Sequence, residues 1–305
     1  MKKKLILALM AMMILTSACT TDEKQSSSSV PSVTPKISTA KAQGIFDGMD
    51  SSVEQILNDG SEYAVYLAYP NSSSEIYTYP NNPVPMRSAS MIKVFILASV
   101  MEKVRDGEID LDEPLTLTYE NQVGGAGILV GYPTGSQLSL REVMKLMITH
   151  SDNSATNMVI DRMGMDAIND YIQRQGYGDT VLRRKMMDMD AIYAGRENYS
   201  SVKDLGDIFL KIYKHECVDE QCDEIMLDFL KGQTDDECFP TALPDKVIAH
   251  KTGALAGLFD EGGIIYGGNG DDAVLVIMTE NYTGESTVIN RMKKFAQYVI
   301  YDFAH

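Results

Sequence analysis

The stretch Ser90-Met91-Ile92-Lys93, continued by Val94-Phe95-Ile96-Leu97-Ala98-Ser99-Val100-Met101, sets a serine three residues ahead of a lysine at the head of an apolar run. At helical spacing, positions i and i+3 share a face, so the lysine amine can reach the serine hydroxyl. Apolar surroundings would also encourage that amine to lose its proton. Such a pair is either an activated nucleophile or two polar residues on the rim of a core helix. The pattern S-x-x-K occurs at Ser38/Lys41, Ser90/Lys93 and Ser200/Lys203, so alone it decides nothing.

Upstream of this helix, residues 45–60 read as a first helix stopped at Gly60, and residues 62–70 and 74–80 as a β-hairpin rich in Tyr, Val and Ile. The helix carrying Ser90 ends near Asp106-Gly107. Ser139-Leu140-Arg141-Glu142 has the form of a capping box opening a helix over 140–150. Further helices are expected over 154–163, stopped at Gly164, and 165–175, stopped at Gly176. Another start at Ser201–Asp204 opens a helix over 205–213 and gives Ser200/Lys203 a structural reason to exist. Residues 246–254, 261–268 and 272–280 read as strands with Gly-rich turns, and 286–303 as a closing amphipathic helix. Two early strands and three late ones flanking a helical block imply an α/β (α+β) fold. Its antiparallel five-stranded sheet would come from both chain ends, covered by the terminal helices, with an all-α lobe inserted. The α/β lobe is expected at about 44–85 and 243–305, the all-α lobe at about 86–242.

Two more short motifs fall at the mouths of these elements. Ser151-Asp152-Asn153 sits in the break between two helices, and Lys251-Thr252-Gly253 on the first late strand. Ser90 precedes Ser151 by 61 residues, and Ser151 precedes Lys251 by 100. Each motif alone reads as a cap or a strand end. In this order, at these separations and with this element order, residues 44–305 resemble the class A serine β-lactamases and the related penicillin-binding proteins. The resemblance implies Ser90 as nucleophile, Lys93 as its base and Ser151 as proton relay to a leaving nitrogen. Asn153 would bind a substrate amide, Lys251 and Thr252 a substrate carboxylate, and Gly253 completes the third motif. An oxyanion hole would come from the N–H groups of Ser90 and Ala254. His150 and His250, beside two motifs, read as structural neighbours. No G-x-S-x-G elbow and no H-E-x-x-H motif occurs.

The sequence departs from that family after the second motif. Matching Leu182 and Ser200-Ser201 without gaps puts Met186 where the family has the glutamate that activates the deacylating water. Asp190 stands where an asparagine helps hold that water, and Tyr199 where an aspartate pairs with the arginine matched by Arg184. Asp190, or less directly Asp188, is the candidate substitute base. No arginine lies between Arg196 and Arg291, so Lys251 and Thr252 carry more of the carboxylate binding, or Arg291 reaches in.

The chain has 305 residues, 44% of them hydrophobic, and a net charge of −16, which argues against nucleic acid and anionic membrane surfaces as partners. Lys2–Lys4, the apolar run Leu5–Leu15 and Thr16-Ser17-Ala18-Cys19 resemble a bacterial lipoprotein signal, with Cys19 lipidated. Thr16 departs from that pattern, and plain secretion with cleavage nearby is the alternative. Residues 20–43 lack the apolar content to bury a core and read as a tether of about 27 Å. Cys217, Cys222 and Cys238 then allow one disulfide with a thiol left over, or three free thiols. Their spacing with His215 fits no zinc pattern well, and the absence of metal and cofactor is expected.

Together these features suggest a membrane-anchored, extracytoplasmic, monomeric serine hydrolase, acylated at Ser90 by β-lactams and hydrolysing them, with slowed deacylation. The alternatives are a D,D-peptidase or esterase acting on a peptidoglycan-derived acyl substrate, and a sensor that stays acylated.

Overall fold

The computed structural model describes residues 44–267 and 272–303. The expected leader, Cys19, the tether and Ser38/Lys41 lie outside the described residues. In chain order the elements are α1 (Met49–Leu57), β1 (Glu62–Ala68), β2 (Ile76–Tyr79), β3 (Met86–Arg87), α2 (Ile92–Arg105), β4 (Pro114–Thr116), β5 (Gln137–Ser139), α3 (Leu140–Thr149), α4 (Asn153–Met163), α5 (Met165–Arg174) and α6 (Met189–Tyr193). They continue with β6 (Tyr199–Ser200), α7 (Val202–Tyr213), α8 (Glu220–Lys231), α9 (Phe239–Ala242), β7 (Val247–Leu255), β8 (Leu258–Tyr266), β9 (Ala273–Glu280) and α10 (Glu285–Gln297).

The five-stranded sheet runs β2-β1-β9-β8-β7 and every pairing is antiparallel. The hairpin from the start of the chain therefore docks on β9 from its end, with Tyr66 opposite Val276. Strand alternation separates two cores. Ala64, Tyr66 and Ala68 face the helical lobe, whereas Val65 and Leu67 pack with α1, α9 and α10. Helix α7 approaches the sheet so closely that a Cβ on Gly206 would lie 2.2 Å from the Tyr66 ring. Only glycine allows that contact.

Helix α2 is the axis of the lobe. Every residue from Ile92 to Glu102 is buried, so the helix is covered all round rather than on one stripe. Each fully buried Val, Leu, Ile or Phe adds on the order of 1.5–3 kcal/mol, and this helix gathers six such side chains and Met101 around one lysine. The expected caps form. Ser139 and Glu142 make a capping box at α3, and Ser201 Oγ accepts from the Asp204 N–H at α7. Lys203 pairs with Asp207 at 2.6 Å, so the third S-x-x-K match is a helix start with an i,i+4 ion pair.

The inserted lobe is not wholly helical. β3 pairs with β6, and β4 with β5. These pairs of two and three residues carry no strand periodicity; tertiary neighbours create them. Helix α8 was also not anticipated, although Cys222, Met226, Phe229 and Leu230 are its buried face.

Of the two cysteine alternatives, the structure has the free thiols. Cys217, Cys222 and Cys238 are unpaired and buried. Cys238 belongs to the core under α10, whereas Cys217 and Cys222 belong to the core of the helical lobe. The sheet separates Cys238 from the other two. Burial pushes the Cys217 thiol up to about 12, so it is an inert core residue. His215 faces Glu224, and no metal-ligating cluster exists among the described residues.

Candidate active site

Ser90 sits in a 3-10 turn, Ala89–Met91, that leads into α2. The turn is fixed by Ser88, whose N–H donates to Asn198 O and whose carbonyl accepts from Met91 N–H. Ala89 takes φ 40°, a left-handed conformation unusual for a residue with a side chain. Strand β7, at the sheet edge, runs against this turn. A Cβ on Gly253 would meet Met91 Cγ at 3.1 Å, and Ala89 Cβ and Ser88 O at 3.2 Å. The glycine of the third motif thus lets the strand close on the serine. The N–H groups of Ser90 and Ala254, the expected oxyanion donors, lie on these two adjoining segments.

Lys93 is fully buried. Its Nζ donates to Ser151 O at 2.6 Å, Asn153 Oδ1 at 3.0 Å and Ser151 Oγ at 3.1 Å. Burial drives its pKa well below the ordinary lysine value; the Lys251 charge lowers it further, and the Asp152 carboxylate opposes both. Ser151, at φ 49°, leaves the helical path and turns its carbonyl to Lys93. Asp152 holds the second motif together by capping α4 at Ala155 N and accepting the N–H groups of Ile128 and Leu129. Asn153 Nδ2 donates to Gly124 O. Lys93 and Ser90 make no hydrogen bond among the described residues. In place of the expected Ser90 contact, the amine serves Ser151 and Asn153. Contacts of this kind in resting enzymes are often long and tighten with substrate.

Lys251 is also fully buried, with a pKa lowered by burial to about 7 against the opposing charges of Asp235 and Glu261. Its Nζ donates to Thr252 O at 2.7 Å. Thr252 Oγ1 donates to Asp235 Oδ2 at 2.8 Å. On the strand face next to Lys251, His250 Nδ1 lies 2.6 Å from Glu261 Oε1, and both are buried. This pair is structural support, as expected of His250. His150 instead pairs with the neighbouring Thr149 hydroxyl. Arg291 does not reach the site. Its guanidinium donates to Ile56 O, fastening α10 to α1.

The loop before α6 is clamped at two points. Asn157, one helical turn beyond Asn153, accepts from Met186 N at 2.8 Å and donates to Met186 O at 3.1 Å. Met186 itself is buried in the helical core. At the neck, Arg184 pairs with Glu197 through Nε at 3.1 Å and Nη2 at 2.7 Å. The arginine therefore has its carboxylate partner two residues before the expected position. Tyr199 instead pairs with Arg87 in the β3–β6 ladder and lies under the Arg183 guanidinium. Asp188 caps α6 at Ala191 N. Asp190 is exposed in the first turn of α6, and its carboxylate has no hydrogen bond or ion pair among the described residues.

The structure thus brings Lys93, Ser151 and Asn153 into one hydrogen-bonded network, with the Lys251 charge near enough to lower the Lys93 pKa and Thr252 tied to Asp235. It leaves Asp190 apart from that network's hydrogen bonds. Three contributors were missed from sequence. Asn157 carries a signal, since it follows Asn153 by four and shares its helix face. Glu197 and Asp235 carry none. A buried, weakly basic amine 3.1 Å from the Ser151 hydroxyl, one helical turn from Ser90, can move protons to and from an acyl centre.

A profile described as the beta-lactamase enzyme family matches residues 49–303. Beta-lactamase SME-1 of Serratia marcescens is 24% identical over 170 residues, 54% of this chain and 58% of that enzyme. The chain thus spans little more than half the length of that curated relative. The structure of PBP-A superposes with a TM-score of 0.76 at 26% identity, covering 83% of this chain and 94% of that one. A variant of PBP-A has been solved as an acyl-enzyme complex with penicillin G, with the same TM-score and identity. A beta-lactamase from Sphaerobacter thermophilus gives a TM-score of 0.73 at 24% identity, covering 84% and 97%.

The neck of the loop yields a test of stability. Glu197→Gln leaves the Arg184 charge buried without its partner. Breaking a buried pair costs roughly 3–5 kcal/mol, and the partial exposure of Glu197 puts this case at the low end. Denaturant unfolding should show that loss, and an unchanged midpoint would mean the clamp does not hold the loop.

Proposed function

The chain belongs to the beta-lactamase enzyme family, and we propose that this serine β-lactamase-like hydrolase is acylated at Ser90 by β-lactams and releases the product slowly. The observation that carries the reading is the buried Lys93 amine, held 3.1 Å from Ser151 Oγ and 3.0 Å from Asn153 Oδ1. In its neutral form it keeps two N–H bonds for the carbonyl oxygens of Ser151 and Asn153, and its lone pair is free to take a hydroxyl proton. Ser90 Oγ adds to the substrate carbonyl carbon as its proton passes to Lys93. The oxyanion is met by the N–H groups of Ser90 and Ala254. The C–N bond then breaks, and the nitrogen takes the Ser151 proton, which Lys93 replaces.

Hydrolysis of the resulting ester needs a water to lose a proton. Met186 offers no base, and Asp188 is occupied as a helix cap. Asp190 is the carboxylate we assign to residual water activation. A general base contributes roughly 10² to 10⁴-fold. From a typical turnover of about 10 per second, loss of the family's glutamate leaves an adduct that persists for seconds to minutes. A long-lived adduct equally suits a sensor or a penicillin-binding role, and Met186 is the observation favouring it.

Intact mass of residues 44–305 mixed with a penicillin should show one covalent adduct, absent in Ser90→Ala, that clears over seconds to minutes. Asp190→Asn should lengthen its lifetime about tenfold or more; an unchanged lifetime removes Asp190 from the mechanism. No adduct at all would sink the whole assignment.

The two lysines give a pH profile of defined sign. Lys93 must be neutral, so acylation rises with pH through its lowered pKa. Lys251 must be charged, so acylation falls as pH rises through about 7. Lys251→Arg, whose guanidinium stays protonated, should carry the falling limb out of the accessible range. A limb that stays near 7 would show that another group sets it.

We also propose the extracytoplasmic location, from Lys2–Lys4, the Leu5–Leu15 run and Cys19. Metabolic labelling with a radioactive fatty acid should mark the wild-type chain and not Cys19→Ser. Equal labelling of both would exclude Cys19 as the anchor.

A further inference from the structure

The third motif meets a carboxylate belonging to the chain itself. The strap between α8 and β7 is tied to the last turn of α3. Gln233 Nε2 donates to Ile148 O, and Thr234 donates to Thr149 O through both its N–H and its hydroxyl. Those ties, two and three residues ahead of Ser151, fix where the next residue, Asp235, can lie. Its Oδ2 accepts the Thr252 hydroxyl at 2.8 Å. The carboxylate is half-buried and has no ion-pair partner within 4.0 Å among the described residues. The neighbouring ammonium is Lys251, whose charge Asp235 helps to sustain. Arg291, the first arginine after Arg196, lies elsewhere, donating to Ile56 O.

We propose that Asp235 is a specificity-determining residue that selects against a carboxylate at the Lys251/Thr252 end of the site, and for a neutral or cationic group bearing N–H, such as an amide. This rests on the reading of the site as an acyl-transfer centre. Two features of the geometry carry it. The Thr252 hydroxyl proton is already committed to Asp235, so Thr252 presents lone pairs, not a donor, to an incoming group. A substrate carboxylate would also join Asp235 and Glu261, which already act on the one ammonium of Lys251, and like charges brought together at an interface are strongly disfavoured. An amide N–H, by contrast, finds acceptors in both Thr252 Oγ1 and Asp235. The preferred acyl donor is therefore one whose chain continues through an amide past the scissile bond, or ends there in an amide, rather than one ending in a free acid.

The test separates binding from chemistry. Benzylpenicillin and its amide would be titrated into the Ser90→Ala chain, in which no acylation occurs, and their Kd values compared by calorimetry. With Asp235 present the amide should bind about tenfold tighter or better, the scale of discrimination expected for one partly screened charge contact. Adding Asp235→Asn should bring the ratio to one or reverse it. Equal binding of acid and amide with Asp235 intact overturns the proposal, as does a ratio that Asp235→Asn leaves unmoved, or an amide that does not bind. The first comparison needs no Asp235 variant, so misfolding of Asp235→Asn cannot shield the idea; Asp235→Ser gives a second replacement. Failure of Ser90 to be acylated in the unmodified chain would defeat the acyl-transfer reading instead, and the two results are told apart because the titration requires no covalent step.

Discussion

A primary amine has been taken wholly out of water inside helix α2, and the site is arranged around it. Stripping an ammonium of its hydration is expensive unless the group gives up its charge or finds partners. Lys93 has both remedies available, a lowered pKa and three oxygen contacts from the second motif. Those contacts require Ser151 in its left-handed conformation. That in turn depends on the Asp152 carboxylate binding three backbone N–H groups around it. The apolar enclosure of α2 is therefore part of the chemistry as well as of the core.

The loop preceding α6 has kept its supports while changing its chemistry. Asn157 still fixes the Met186 backbone in both directions, and Arg184 still has a carboxylate at the neck. The side chain so carefully placed is a thioether that packs into the core and accepts no water proton. The same separation of framework from function appears at the sheet edge. There Gly253 brings β7 against the Ser90 turn, while Asp235 takes up the hydroxyl that would otherwise face the substrate. Under the proposed reading the residues for acylation are in place, and Met186 stands where the family has its glutamate.

Much of this was legible in the chain. The capping boxes and glycine stops marked α3, α4, α5 and α7 because capping is a local event, settled by residues three or four apart. The five strands were legible because β-branched and aromatic runs bounded by Gly and Asn are also local signals. The pairs β3–β6 and β4–β5 were not, since each short strand owes its form to a partner far along the chain.

The sequence by itself determined the identity and order of the candidate site residues: Ser90 and Lys93 at one helix entrance, Ser151 and Asn153 at another, Lys251 and Thr252 on a strand, and a methionine where the family has a glutamate. Spacing along helices and strands carries that information. Only the tertiary structure decided which groups touch. It gave Lys93 to Ser151 and Asn153 rather than to Ser90, Arg184 to Glu197 rather than to position 199, and Thr252 to Asp235. It also kept Cys238 apart from the other two thiols, with the sheet between them. Contacts between side chains tens of residues apart depend on how whole elements pack, and no local pattern records that.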